Sequence, residues 1–357
     1  YLSPEGAPGT AGVDFPGGIR LSSTLRTALL AWHFGSANLL FSSELTSESR
    51  LVHRRLVTDR AQAIAPFLHF PEEPYPVLTD DRIVWVLEGF TATPGFPLSD
   101  VRRIAGSGPQ FNYVRNSIKV TVDAVTGDIG FYRIPIEDPL ADTYAAAYPG
   151  LIRDVREMPE KLREHLRYPE TLIDIQSEVL LRYHLETAAA FHAADDVWRV
   201  PVELTSGTNL VSYRPEYGIY RLPWEDRARF QRTAVFVPFG RDNLTAFLVA
   251  RTGELGEPET ILVDVPVDDQ VLGPRLIEAQ IEQDPSISQQ FSLWRSGGSE
   301  VEAGHLHLVP VGNRFLYMEP IFLAAAADAI PELRRFVVSD GERIVMTETL
   351  DDAIALL

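Results

Sequence analysis

Hydrophobic and polar residues alternate along 115–123, and a second apolar run follows the turn sequence Thr126-Gly127-Asp128. This period of two on both sides of a glycine-containing turn predicts a β-hairpin. One face of its first strand carries Asn116, Ile118, Val120 and Val122, and the other carries Arg115, Ser117, Lys119, Thr121 and Asp123. We expect the first face to pack on a core. The second is a candidate surface, formed by Arg115, Lys119 and Asp123, for contact with solvent, a partner or a ligand.

Helical spacing of apolar residues is clearest in the first half of the chain. Ser22 or Ser23 can cap a helix that carries Leu25 and Leu29 and ends at Gly35. A second helix is predicted from Ser47 to about Ala65, and three more between residues 139 and 184. The segment 93–109 contains three prolines and three glycines, which predicts a long loop that is mobile or functional.

The second half reads mainly as strands, with a helical insert over 274–294 that Asp284-Pro285 breaks in two. The predicted class is therefore α+β, with two packed lobes. The first lobe, 20–200, mixes helices with antiparallel hairpins, and the second, 201–357, is strand-rich. Residues 1–19 are rich in glycine and proline and are predicted to form a linker or a surface arm.

Composition narrows the classes of function. The net charge is −18 without any basic run, which argues against a nucleic-acid partner. The chain has no cysteine, which excludes disulfides and thiol catalysis. The most apolar stretch, Leu25–Leu40, is interrupted by polar residues and is too short to span a bilayer. Because the chain begins at Tyr1, we expect it to be a piece of a longer protein.

Candidate chemistry is sparse. His305 and His307 would point to one face of a strand, a spacing used by metal sites, but no dedicated third ligand accompanies them. His165 and His184 lie near carboxylates, although helical histidines often do so without catalysis. Nucleophile-elbow and phosphate-loop motifs are absent from the sequence. No cofactor, metal ion or catalytic residue is predicted.

Several blocks of the chain nevertheless resemble a known family in the same order along nearly its whole length. The longest are NLLFSSELTSESRLVHRRLVTDRAQAIAPFL, NYVRNSIKVTVDAVTGDIGFYRIPIEDPLADTY and GPRLIEAQIEQDPSISQQFSLWRSGGS. They resemble uncharacterised protein family 0182, a group of large bacterial membrane proteins. Two departures stand out: the family usually has aspartate-alanine-tyrosine at Glu88-Gly89-Phe90, and tyrosine-proline-tyrosine at Phe96-Pro97-Leu98.

The resemblance implies N-terminal transmembrane helices that lie outside this chain, followed by a large domain on the extracytoplasmic side of the cell membrane. It implies no reaction, cofactor or catalytic residue. Besides its own transmembrane region, the domain is expected to contact an envelope component or a second copy of itself.

Three functions follow as hypotheses. The first is a non-catalytic domain for recognition or assembly at the cell envelope, which uses the hairpin surface or the 93–109 loop. The alternative is a hydrolase-type enzyme that acts on an envelope polymer or lipid, with carboxylates and histidines between the lobes. The third, an accessory domain of a transporter or channel, has the same surfaces as the first.

Overall fold

The chain forms two compact units, Tyr1–Leu166 and Arg167–Leu357. The computed structural model describes residues 17–43, 45–79, 82–103, 110–205, 209–312, 314–325 and 329–357. Both units combine helices with antiparallel sheets, so the predicted α+β class is confirmed. The predicted arm 1–19 and loop 93–109 fall partly outside the described residues. The lobe boundary predicted near residue 200 lies inside the second unit.

The first unit contains short helices around one five-stranded sheet. Its elements are β1 (Ile19–Arg20), α1 (Thr24–His33), α2 (Asn38–Phe41), β2 (Arg50–Leu51), α3 (Val57–Ile64), β3 (Tyr75–Leu78), β4 (Ile83–Thr93), β5 (Arg102–Arg103), β6 (Gln110–Phe111), β7 (Tyr113–Asp123), β8 (Ile129–Arg133), α4 (Pro139–Ala147), β9 (Ile152–Asp154), a 3-10 turn (Val155–Glu157) and α5 (Glu160–Arg163).

The sheet of the first unit has the strand order β3-β4-β7-β8-β9. All neighbours are antiparallel except β8 and β9, which are parallel. The predicted hairpin is confirmed as β7 and β8. Its apolar face, with Ile118, Val120 and Val122, is buried in a core that includes Ala61 of α3 and Ala141 of α4.

The pairing of β4 with β7 contains a β-bulge. Gly89 pairs with Ile118 and Phe90 with Asn116, so Ser117 is an extra residue on β7. A Cβ atom at position 89 would lie 2.9 Å from the carbonyl oxygen of Ile118. Because such an approach is too close for a side chain, glycine is required at this point of the strand.

The polar face of β7 is not the open surface that its alternation predicts. Ser117, Lys119 and Thr121 are all buried, and Lys119 is 0% exposed. The 3-10 turn contacts β8, and Leu162 of α5 lines one cleft together with Thr121, so the chain after β9 covers this face. The prediction that Lys119 belongs to an exposed surface is therefore wrong.

Lys119 is instead half of a buried ion pair. Its Nζ lies 2.5 Å from Oε2 of Glu88, the residue directly opposite on β4. The other oxygen of Glu88, Oε1, has no hydrogen-bond partner in the described part of the chain. A buried ammonium group without a counter-charge would cost several kcal/mol, so the two residues depend on each other.

The long helix predicted from Ser47 to Ala65 is also wrong. Only Val57–Ile64 is helical, and β2 pairs with β1 in the first part of the segment. The backbone of Leu21 donates a hydrogen bond to the carbonyl of Ser49, and Arg54 has a φ of 51°. This long-range pairing and the left-handed residue interrupt the helix that the local spacing favours. By contrast, the helix capped by Ser23 is confirmed as α1.

The second unit is richer in strands. Its elements are α6 (Glu170–Tyr183), α7 (Ala188–Ala193), β10 (Trp198–Arg199), β11 (Val202–Thr205), β12 (Asn209–Ser212), β13 (Tyr217–Tyr220), β14 (Arg229–Pro238), β15 (Ala246–Thr252), β16 (Pro258–Asp264), a 3-10 turn (Val267–Asp269), α8 (Pro274–Gln283), α9 (Pro285–Ser296), β17 (Glu300–Ala303), β18 (His307–Val311), β19 (Arg314–Ala324), β20 (Glu332–Ser339), β21 (Ile344–Thr347) and α10 (Leu350–Leu356).

Two five-stranded sheets and the helix pair α8–α9 share the core of the second unit. One sheet has the order β10-β14-β15-β16 with β13 also paired to β14; the other has β17-β19-β20-β21 with β18 also paired to β19. Apolar residues from both sheets and both helices form one buried cluster, among them Val249, Ile277, Phe291 and Val337. Asp284 ends α8 and caps α9, whose first residue is Pro285.

Among the described residues, none of the helices combines the length and the apolar character needed to cross a bilayer. The longest of these helices is α6, with 14 residues, whereas a membrane-spanning helix needs about 20 apolar residues.

The buried ion pair predicts a large effect on stability. Replacing Lys119 with methionine leaves the Glu88 carboxylate buried without its cation. We expect Lys119→Met to lower the free energy of unfolding by about 3–5 kcal/mol, measured by urea denaturation. The double variant Lys119→Met/Glu88→Leu removes both charges and should recover most of that loss. Equal losses in the single and double variants would contradict this account.

Candidate functional site

The three residues predicted as a candidate surface lie along β7 but do not form one surface. Arg115 is exposed, with its guanidinium carbon 5.1 Å from the centroid of the Tyr113 ring. Lys119 is buried with Glu88, as described above. Asp123 ends the strand and is partly exposed. The ion pair thus separates the two accessible residues, which lie near opposite ends of the strand.

Asp123 holds the turn between β7 and β8. Its Oδ1 accepts hydrogen bonds from the backbone N–H groups of Val125 (2.9 Å) and Thr126 (2.7 Å). Arg82 lies 3.5 Å from Oδ2. Burial alone would raise the pKa of this carboxyl group, but these hydrogen bonds and Arg82 outweigh burial and hold the pKa below its ordinary value. The carboxylate is therefore ionised at neutral pH.

Asp123 also lines a cleft of about 450 Å³ on the covered polar face of the sheet. Arg153 crosses this cleft and donates a hydrogen bond of 2.8 Å to the hydroxyl of Tyr132. The lining includes three cationic and three carboxylate side chains: Arg82, Arg153, Lys161, Asp123, Asp128 and Glu160. Because positive and negative side chains are equal in number in this lining, charge alone does not select a ligand for the cleft.

The described part of the 93–109 loop exposes apolar side chains on a fixed backbone. The side chain of Asn112 accepts a hydrogen bond from the backbone N–H of Phe96 (2.8 Å) and donates one to its carbonyl (2.5 Å). Phe96 stacks on Tyr113, and Leu98 is fully exposed with a φ of 57°. A leucine held in the left-handed region is strained, a feature that often accompanies functional loops.

The second unit contains a carboxylate–histidine pair that the sequence did not predict. Glu203 of β11 is 4% exposed, and its Oε1 and Oε2 lie 3.0 and 2.9 Å from Nδ1 of His305. The backbone N–H of Leu306 also donates to Oε2, at 3.3 Å. A carboxylate at this nitrogen orients the imidazole and favours the proton on Nδ1. The other ring nitrogen, Nε2, is buried and has no hydrogen-bond partner among the described residues.

His305 lines a cleft of about 310 Å³ together with His307, Tyr213 and Glu216. The rings of the two histidines are perpendicular, with centroids 5.0 Å apart. Burial and the neighbouring His305 lower the pKa of His307, so its imidazole is neutral at physiological pH. The cleft thus combines one oriented imidazole with one neutral imidazole, and both are suited to proton transfer.

Among the described residues, no group of three or more histidine, aspartate or glutamate side chains is placed to hold a metal ion. The histidine pair that motivated the metal hypothesis has Glu203 on one member, and this carboxylate bonds to Nδ1.

His165 and His184 serve the ends of their helices. In each, Nδ1 lies 2.6 Å from the carbonyl oxygen four residues earlier. Nε2 of His184 also lies 3.0 Å from the carbonyl of Asp196, and its ring stacks on Trp198. Both imidazoles thus bond to backbone carbonyl groups.

Two further buried carboxylates lie beside Glu203. Glu278 of α8 is 3% exposed, and its Oε1 accepts a hydrogen bond of 2.6 Å from the backbone N–H of Leu204. Burial, opposed by this bond and reinforced by Glu203, raises the pKa of Glu278 to about 7. Glu319 of β19 is also 3% exposed, and burial, together with Glu278 and Glu203, raises its pKa well above the ordinary value. Strongly raised pKa values in one cluster are typical of functional sites.

A signal for these carboxylates was present in the sequence. Glu319 is the single charge within the apolar run 315–323, and Glu278 lies one residue from Ile277 and three from Ile281 on the buried side of α8. Charged residues are rarely buried, so a charged residue among buried apolar positions indicates a special role. Glu203 had no such signal, because its burial depends on elements about one hundred residues away.

The raised pKa of Glu278 predicts a pH dependence. Its pKa is about 7 in the folded chain and roughly 4.3 when unfolded, so the folded state retains the proton to higher pH. Stability should therefore fall as pH rises from about 4 to 7, and stay low above that. Glu278→Gln cannot ionise and keeps an oxygen for Leu204, so we expect it to be more stable than wild type at pH 8, by on the order of 2 kcal/mol.

The measurement is urea denaturation at pH 5 and pH 8. Glu254→Gln is the control, since Glu254 is exposed in a turn of the same unit, and it should change neither value by more than about 0.5 kcal/mol. A Glu278→Gln variant that is less stable than wild type at pH 8 would show that the carboxylate is needed in its ionised form.

Comparison with known proteins places the chain in a family. Residues 12–294 match the model of the Uncharacterised protein family (UPF0182). A UPF0182 protein of Cupriavidus necator is 39% identical over 344 residues, which cover 95% of this chain and 37% of that protein. A UPF0182 protein of Alkaliphilus metalliredigens is 38% identical over 347 residues, 97% of this chain and 36% of that protein.

The chain thus spans little more than a third of the length of these curated relatives. No solved structure matches the chain. The family model matches most of the chain, and the relatives match nearly all of it. The chain therefore belongs to the Uncharacterised protein family (UPF0182).

Proposed function

We propose that this chain is the extracytoplasmic domain of a polytopic bacterial membrane protein and serves recognition or assembly at the cell envelope. The observation that carries the proposal is an apolar surface on the helices α1 and α2, near the beginning of the described chain. Three side chains dominate it: Trp32 is 84% exposed, Phe41 83% and Leu25 72%. Large apolar residues exposed together are typical of surfaces that another molecule or a membrane covers.

The exposed residues of α1 share one side of the helix. Leu25, Leu29 and Trp32 follow the spacing i, i+4, i+7, which places them along a single stripe. The buried Ala31 lies between them in sequence and faces the unit instead. A stripe of leucines with a tryptophan suits the boundary between water and lipid, where tryptophan is enriched.

The length of the relatives supports the same proposal. Because this chain spans little more than a third of them, a large part of each relative lies beyond it. In the proposal, that part supplies the transmembrane region, and α1–α2 faces it and the adjoining bilayer surface. Because anionic lipid headgroups repel a protein with a net charge of −18, this contact would rest on the apolar side chains and not on charge.

Recognition of a partner would use surfaces other than α1–α2. These surfaces are accessible, have a fixed backbone and carry several kinds of side chain. The 93–103 segment provides Phe96 and Leu98 on a backbone held by Asn112. The cleft beside Asp123 adds both signs of charge. These surfaces fit an envelope component or a second copy of the chain.

The absence of cysteine makes the proposal directly testable in cells. Any cysteines that the full-length protein carries outside this chain would be replaced with serine, and single cysteines at Leu98 and at Trp32 would then be labelled with a membrane-impermeant maleimide. In intact cells we expect Leu98→Cys to be labelled and Trp32→Cys to be at least fivefold less reactive. Both should react equally in the isolated chain, where both positions are exposed.

Two outcomes would contradict the proposal. Labelling of Leu98→Cys only after permeabilisation would place the domain in the cytoplasm. Equal labelling of the two positions in intact cells would mean that nothing covers α1. Ser339→Cys, at a position 1% exposed, is the control for a thiol that reacts only after unfolding.

A second candidate function rests on the Glu203–His305 pair: an acid–base enzyme, of hydrolase type, for an envelope polymer or lipid. Its site would be the 310 Å³ cleft within the second unit. His305→Asn retains a side-chain N–H for Glu203 and removes Nε2. If the cleft is catalytic, soluble product released from purified envelope glycan or lipid should fall at least 100-fold in this variant, and remain unchanged in the exposed His192→Asn. No release by the wild-type protein would rule out this candidate for the substrates tested.

A further inference from the structure

A small cavity in the second unit lies between α8, α9 and the strands β17 and β19. Its volume is about 40 Å³, enough for one or two particles of the size of water. Apolar walls come from Ile281, Phe291, Val301 and Ile321, and the acidic lining from Glu278, Glu282 and Glu319. A buried cavity with two nearly inaccessible carboxyl groups is costly unless something compensates them.

Glu278 presents an unused oxygen to this cavity. Its Oε1 accepts the hydrogen bond from Leu204, whereas its Oε2 is buried and has no hydrogen-bond partner in the described residues. Nη1 of Arg275 lies 4.0 Å from this oxygen. That separation exceeds the 2.7–2.9 Å of a charge-assisted hydrogen bond, so Oε2 keeps its capacity to bind a cation.

The other charges around the cavity do not supply such a cation. Glu203 approaches from β11 and is paired with His305. Arg295 of α9 lines the cavity, but its guanidinium carbon lies 5.8 Å from the centroid of the Phe291 ring and the side chain is exposed. Glu282 adds a further negative charge, so the carboxylates outnumber the cations that face the cavity.

We propose that this cavity binds a small monovalent cation, of the size of sodium or ammonium, between the carboxyl groups of Glu278 and Glu319. Carboxylate oxygens are hard ligands that suit such ions. The size of the cavity excludes a hydrated ion or an organic amine with a large substituent. This site is independent of the proposed location of the domain, because all its residues lie within the second unit.

Proton binding explains why one positive charge suffices. Burial raises the pKa of both carboxyl groups, and repulsion by Glu278 adds to the rise at Glu319. Because this repulsion disfavours the ionisation of both groups at once, one positive charge suffices. When the cation binds, Glu278 releases its proton to solvent and its Oε2 becomes a ligand, so total charge in the cavity is unchanged.

The test is thermal unfolding of the chain at pH 8 and constant ionic strength, in sodium, ammonium, potassium or choline chloride. We expect sodium or ammonium to raise Tm by about 5 °C over choline at a hundredfold excess over Kd. At pH 5 the difference should vanish, because the proton then competes successfully for Glu278. Identical Tm values in all four salts at pH 8 would overturn the proposal.

Variants separate a specific site from general screening of an acidic protein. Glu278→Gln and Glu319→Gln each remove one titratable carboxyl group while preserving shape, and both should abolish the cation-dependent shift. Glu254→Gln, in an exposed turn, makes the same change in net charge and should retain it. A shift that survives in Glu278→Gln would overturn the assignment.

Proton release provides a measurement that does not depend on stability. Addition of sodium or ammonium chloride to the weakly buffered wild-type chain at pH 7 should release up to about half a proton per chain, after correction with choline chloride, because a group with a pKa of about 7 is half protonated at that pH. Glu278→Gln should release none. Release of equal size in the wild type and in Glu278→Gln would assign the proton to another group and contradict the proposed exchange.

Discussion

The pairing of β4 with β7 is the constraint on which the first unit depends. Both strands have eleven residues, and most of their side chains are buried on both faces of the sheet. Because one face carries polar residues, burial requires that every charge find a partner. Lys119 and Glu88 meet this requirement opposite each other, and the bulge at Gly89 sets the register of the rest of the pair.

The same bulge allows Ser117 to reach a second buried acid. Asp138 is 1% exposed and accepts hydrogen bonds from Thr91 (2.6 Å), Tyr113 (2.9 Å) and Ser117. Burial alone would raise the pKa of this carboxyl group, but the hydroxyl donors lower it below the ordinary value. Asp138 also caps α4. One ionised carboxylate thus connects β4, β7 and the following helix.

Among the described residues, the buried carboxyl groups of the second unit have fewer hydrogen-bond donors than Asp138. Asp138 of the first unit has several hydrogen-bond donors, whereas burial raises the pKa of both Glu278 and Glu319 above the ordinary value. Glu203 is paired with His305 and accepts a hydrogen bond from a backbone N–H. In a structural network, every buried polar group has its hydrogen-bond partners. A site that exchanges protons or ions must instead keep some polar atoms without a partner. This contrast makes the second unit the better location for chemistry and the first for structure and contact.

Local sequence determined much of the architecture. Alternation identified the β7–β8 hairpin, a serine cap identified α1, and Asp284-Pro285 identified the break between α8 and α9, because each depends on neighbours a few residues apart. These signals and the strand-rich second half sufficed for the α+β class.

Tertiary structure decided which polar residues are accessible. The alternation of β7 could not reveal that the chain after β9 would cover Lys119, nor that β11 would bring Glu203 to a histidine 102 residues away. Nor could the spacing of residues 47–56 reveal that β2 would pair with β1. Periodicity determines which side chains share a face, whereas burial and pKa depend on what packs against that face, and only long-range contacts establish this.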